Sequence, residues 1–225
     1  MATHLDLQEQ EQLDALRAFW KQYGNLITWT LTAVLAGFAL WNGWQWYQRD
    51  QGAKAGAMFD EVEQAIQKGE LDKAQRLFDQ LRDRYQRTVF VPQAALSLAR
   101  LQLDQNKPDA AQASLTWVTQ SAAEPEYQTV AHLRLAGLLM DQKKYDDALK
   151  QLDAAKSPAF AGLVADRRGD VLQAADRKPE AIAAYQAAWK ALPETLEYRR
   201  ILEAKLTALA AAPVPAEPAA SGGKP

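Results

Sequence analysis

The chain has 225 residues, with 26 Lys and Arg against 28 Asp and Glu, two histidines and no cysteine. A net charge of −2 leaves no basic footprint for nucleic acid, and the absence of cysteine excludes disulfides, thiol chemistry and a lipid-modified cysteine anchor. With only His4 and His132, and no phosphate loop, HExxH or GxSxG, neither an enzyme nor a bound cofactor or metal is expected.

Residues 1–23 form a short acidic segment, in which Asp6, Glu9, Glu11 and Asp14 outnumber Arg17 and Lys21. Leu13, Leu16 and Trp20 fall at i, i+3 and i+7, one face of a helix. The segment reads as a helical extension of the apolar stretch C-terminal to it, with a small docking element as the alternative.

Residues 24–47, GNLITWTLTAVLAGFALWNGWQWY, carry no charge. At about 1.5 Å per residue, Leu26 to Trp46 spans roughly 31 Å as a helix, the thickness of a bilayer's hydrocarbon core. Trp20 and Tyr23 stand at one end and Trp44, Trp46 and Tyr47 at the other, where amphipathic rings suit the headgroup level. The apolar run is longer than a secretory signal's and lacks a basic segment before it, so an uncleaved signal anchor is expected. Arg17 and Lys21 balance Arg49 and Lys54, so charge alone leaves the orientation open. Ala33 and Gly37 form a small-xxx-small step that would let another helix approach.

Residues 48–211 change character: Ala, Leu, Gln, Asp, Lys and Arg dominate, which is helix-former chemistry. A repeat runs through them. Gly169 is followed by Ala181, Tyr185, Ala188 and Pro193 at the tetratricopeptide spacing: small residues where paired helices meet, an aromatic between pairs, a proline after the second helix. Marker alanines Ala74, Ala111, Ala148 and Ala181 lie 37, 37 and 33 residues apart, near the expected period of about 34. Turn signals fall inside each pair, at Lys68-Gly69, Asn106-Lys107-Pro108, Gln142-Lys143-Lys144 and Asp176-Arg177-Lys178-Pro179. Trp117 and Trp189 fall on second helices as core residues, and His132 reads as a packed or surface histidine.

Thr195 to Ala211 is predicted as a final capping helix, with Thr195 as N-cap. Leu196, Ile201, Leu202, Leu206 and Leu209 would form its apolar stripe, and Arg199, Arg200 and Lys205 would face water. Residues 212–225, APVPAEPAASGGKP, cannot bury a core and read as a disordered tail. The fold class is therefore all-α: a single transmembrane helix followed by a tetratricopeptide-repeat-like α-solenoid.

Such arrays bind other proteins through their first helices. The register places Arg100, Arg134 and Arg167 on that wall, beside Leu96, Leu103, Leu133 and Met140, a surface suited to an extended or helical segment of a partner. The competing reading pairs these arginines internally with Asp104, Asp141, Asp166 and Asp170.

Two segments carry a family resemblance. Glu11-Gln12-Leu13-Asp14-Ala15-Leu16-Arg17-Ala18-Phe19-Trp20-Lys21 resembles the start of the YfgM family, and Phe160-Ala161-Gly162-Leu163-Val164-Ala165-Asp166-Arg167-Arg168-Gly169-Asp170 resembles the junction of its third and fourth repeats. The order of tail, span and degenerate repeats matches over roughly residues 8–210. The resemblance implies an ancillary subunit of the SecYEG translocon in the bacterial inner membrane. It also implies a cytoplasmic N-terminus, a periplasmic repeat domain and association with a PpiD-like periplasmic chaperone, which would hold that chaperone near exported client chains and leave direct contact with those chains open. It supplies no catalytic residues. A scaffold for another envelope assembly process, such as cytochrome maturation or cell-wall coordination, is the alternative use of this architecture.

Overall fold

The computed structural model describes residues 7–193 and 195–211. The tail at 212–225 and His4 lie outside them. Among the described residues nine α-helices run in order: α1 (Leu7–Gln67), α2 (Leu71–Tyr85), α3 (Phe90–Asp104), α4 (Pro108–Ser121), α5 (Pro125–Asp141), α6 (Tyr145–Ala154), α7 (Ala161–Ala174), α8 (Lys178–Ala191) and α9 (Arg199–Ala208). A single 3-10 turn, Pro158–Phe160, leads into α7, and no strand occurs among the described residues. The chain divides into two units, 1–54 and 55–225.

In the first unit, α1 carries the one stretch among the described residues long and apolar enough to cross a membrane. Its large side chains are exposed on all sides, including Leu26, Trp29, Leu31, Val34, Phe38 and Leu40. Four polar side chains within this stretch bond to the helix's own backbone. Thr28, Thr30 and Thr32 each donate Oγ1 to the carbonyl four residues back at 2.8 Å, and Asn42 Nδ2 donates to the Phe38 carbonyl at 2.9 Å. Hydroxyl and amide protons bonded within the helix, rather than to water, are what hydrocarbon demands.

In the second unit the helices pair. The last turns of α1, through Ala55, Val62 and Ala65, pack with Ala74, Phe78 and Leu81 of α2 in one buried cluster. The pairs α3/α4, α5/α6 and α7/α8 come next, and α9 packs on α8. The first helices also touch in series, α3 to α5 and α5 to α7, and so make one layer. The markers Ala74, Ala111, Ala148 and Ala181 are each fully buried. Gly169 shows why small residues are needed: a Cβ there would sit 2.5 Å from Cδ1 and 2.8 Å from Cζ of Tyr185.

Each pair turns through the same motif. Gly69, Asn106, Lys143 and Asp176 take φ of 70°, 57°, 61° and 59°, each five residues before its marker alanine. The next residue's N–H bonds six-to-one across the turn: Glu70 to the Ala65 carbonyl, Lys107 to Gln102, Lys144 to Leu139 and Arg177 to Leu172, at 2.8–2.9 Å. This is the Schellman closure, which satisfies the last carbonyls of the first helix. Pro108 and Pro125 then start helices where the missing N–H costs nothing.

The C-terminal helix differs from its sequence reading. Thr195 is not its N-cap: α9 begins at Arg199 with Tyr198 in the cap position, and residues 195–198 form turns whose bonds run from Leu196 to Pro193 and from Arg199 to Leu196. The helix ends at Ala208, with Ala210 in the left-handed region at φ 57°. Leu202 and Leu206 are fully buried, but Leu196 and Ile201 are exposed. Arg199 and Lys205 do not face water. Arg199 is buried, with its guanidinium 4.0 Å from the Trp189 ring centroid. Lys205 Nζ donates to Asp166 Oδ1 at 2.7 Å and to Asp170 Oδ1 at 2.6 Å. The reason is that α7 presents two carboxylates one turn apart, so a cation on the packed face of α9 is drawn inward.

Candidate protein-interaction site

The layer of first helices holds a groove of about 600 Å³ between α3, α5 and α7. Arg100, Leu103 and Asp104 come from α3, Leu133, Arg134, Gly137 and Asp141 from α5, and Arg167 from α7. The three arginines expected on this wall and Leu103 thus meet around one opening. Leu133 joins them. Met140 does not line the groove; it packs with Ala136, Leu139, Ala148 and Val171. Leu96 is buried, and only its carbonyl takes part.

Each arginine is held differently. Arg100 pairs loosely with Asp104, Nε to Oδ2 4.0 Å, both side chains well exposed. Arg167 lies 3.8 Å from Asp170, and its Nη1 would meet a Cβ at Gly137 at 3.9 Å, so the glycine leaves room beneath the guanidinium. Arg134 donates Nη1 to the Leu96 carbonyl at 2.7 Å. Burial, and then the charge of Arg100, hold the Arg134 pKa below the ordinary arginine value. Internal pairing therefore accounts for Arg100 and Arg167 through Asp104 and Asp170, while Asp166 is taken by α9.

Behind Arg167 stands a polar network that sequence reasoning missed. Tyr198 OH donates to Asp166 Oδ2 at 2.6 Å, and Tyr185 OH lies 2.8 Å from Asp170 Oδ1 and 2.9 Å from Gln173 Oε1. Burial first, then the hydrogen bond to a carboxylate, raises the pKa of both tyrosines. Lys205 joins both aspartates, so the cap is clamped to α7 beside the groove. The signal available in the sequence was the i, i+4 spacing of Asp166 and Asp170.

In the first unit, a Cβ added at Gly37 would meet nothing within 4 Å, so the Ala33–Gly37 step is open. His132 Nδ1 lies 2.8 Å from Gln151 Oε1. Among the described residues no group of three or more His, Asp or Glu side chains is placed to hold a metal ion.

Similarity to known proteins extends over nearly all of this architecture. A family model described as a tetratricopeptide repeat-like domain matches residues 17–211. A protein of Neisseria gonorrhoeae named ancillary SecYEG translocon subunit is 31% identical over 210 residues, covering 93% of this chain and all of the relative. The Escherichia coli protein of the same name is 26% identical over 185 residues, 81% of this chain and 87% of that one. The solved structure of MamA (41-end) from Desulfovibrio magneticus shares the fold, with a TM-score of 0.51 at 18% identity over 70% of this chain and 86% of that one. Paired helices in one register, the match over residues 17–211 and a relative aligned along its whole length agree: the chain belongs to the tetratricopeptide repeat-like family that includes the ancillary SecYEG translocon subunits.

Proposed function

We propose that this chain is a membrane-anchored, non-catalytic adaptor that works beside the SecYEG translocon. The observation that carries the reading is the alignment with the Neisseria protein, which takes in the apolar helix as well as the repeats. In this reading α1 crosses the inner membrane with its N-terminus in the cytoplasm, and the repeat unit lies in the periplasm. The span, with its open step at Ala33 and Gly37, contacts translocon helices. The repeats gather a PpiD-like chaperone, and through it exported chains, at the groove around Arg100, Leu103, Arg134 and Arg167.

Tagged full-length protein extracted in native lipid should recover SecYEG and a periplasmic chaperone. Replacing Arg100, Arg134 and Arg167 together by Glu should reduce the chaperone severalfold and spare SecYEG, with the helical circular dichroism unchanged. Recovery of a different envelope assembly without SecYEG would refute the translocon role. A folded triple variant that keeps both partners would move docking away from the groove.

A further inference from the structure

The groove is not a neutral trough, and its charges are unevenly satisfied. Among the described residues its ion pairs within 4.0 Å are Arg100–Asp104 and Arg167–Asp170; neither involves Arg134. Arg134 spends one N–H on the Leu96 carbonyl, which fixes its stem against α3. The rest of its fork faces an opening bordered by two further arginines. Asp104 and Asp141 stand at the margin, both exposed, and neither reaches it. A guanidinium offers five donors in a plane, and a carboxylate is the group that takes two of them at once. Beside it, Leu103 is 39% exposed and Leu133 half-buried, an apolar floor within the same groove.

We propose that the groove recognises a short acidic and apolar segment of a partner protein, with a carboxylate seated on Arg134 and a neighbouring apolar side chain on Leu103 and Leu133. This deepens the docking reading above and rests on it. Arg134 is fixed before the ligand arrives, so little side-chain freedom is lost on binding. Arg100 and Arg167 flank it and disfavour a basic segment. Specificity then comes from a cation left without a partner when an uncharged segment occupies the groove.

The test uses full-length protein in lipid nanodiscs, panned against a random dodecapeptide phage library. Wild-type protein should retain peptides enriched severalfold in Asp and Glu over Asn and Gln, with Leu, Ile or Phe close by in the sequence. Arg134→Gln, checked for unchanged helicity and thermal midpoint, should lose the acidic enrichment and keep the apolar one; Arg134→Lys should restore part of it. No acidic enrichment with wild type, or the same enrichment with Arg134→Gln, overturns the proposal. If enrichment is absent while the triple Glu variant still loses the chaperone, the groove docks partners by other chemistry and only the carboxylate inference falls. If both fail, the docking reading falls with it.

Discussion

Gly169 and Gly137 occupy corresponding first helices but should respond to alanine with opposite signs. At Gly169 a Cβ would meet Cδ1 of Tyr185 at 2.5 Å and Cζ at 2.8 Å. The ring cannot swing aside, since Tyr185 is 1% exposed and its hydroxyl is held by Asp170 and Gln173. Overpacking of this kind costs about 1–3 kcal/mol, and the upper part applies where the obstacle is rigid. Helix propensity returns about 0.8–1 kcal/mol for Gly to Ala. Gly169→Ala should therefore lose about 1–2 kcal/mol. At Gly137 the nearest atom is Arg167 Nη1 at 3.9 Å, an ordinary contact, so Gly137→Ala should keep the propensity gain. For a unit of this size about 2–4 °C of thermal midpoint corresponds to 1 kcal/mol. Melting of the full-length variants in one detergent, followed at 222 nm, should show Gly169→Ala below wild type by about 2–8 °C and Gly137→Ala above it by about 2–4 °C. A Gly169→Ala protein as stable as wild type would refute the close approach of α7 and α8 on which the repeat register depends.

Lys205→Ala leaves Asp166 and Asp170 facing each other without their shared cation, and should cost on the order of 3 kcal/mol; exposed Arg200→Ala should stay within about 0.5 kcal/mol in the same melt. Alkaline pH should loosen the cap. Tyr185 and Tyr198 hold their protons more tightly in the folded array than in an unfolded chain, because of burial and then Asp170 and Asp166 respectively. That contribution is whole below the unfolded tyrosine pKa of about 10 and is lost as pH rises above it. Denaturant midpoints measured from pH 8 to 11 should fall more shallowly for Tyr198→Phe than for wild type; parallel curves would show that Tyr198 carries none of the dependence.

The repeat was legible because its marks are steric. A buried alanine or glycine at a fixed spacing has few substitutes, so Ala74, Ala111, Ala148, Gly169 and Ala181 could be found by counting. The left-handed turns were half legible. Gly69 and Asn106 announce a positive φ, whereas Lys143 and Asp176 adopt the same conformation because the Schellman bonds and the packed pair impose it. Charge was the poorest guide. Arg199 and Lys205 read as solvent-facing cations, yet a ring at Trp189 and two carboxylates on α7, distant from them in sequence, draw them in. The groove arginines were legible as a register, but the difference among them was not. Arg134 is tied to a backbone carbonyl 38 residues upstream, a contact no side-chain pattern encodes. Met140 missed the groove because its position on α5 turns it into the core shared with Val171.

In the proposed arrangement, one chain would join the translocon through its apolar helix and a chaperone through its repeats. Site-specific photocrosslinking in living cells tests it most directly, with a photoreactive residue at Leu35 on the span or at Leu103 in the groove, both exposed. Leu35 should yield adducts with SecYEG components and Leu103 adducts with a periplasmic chaperone, each identified by mass spectrometry. Adducts from Leu103 with cytoplasmic proteins, or no SecYEG adduct from the span, would refute that arrangement.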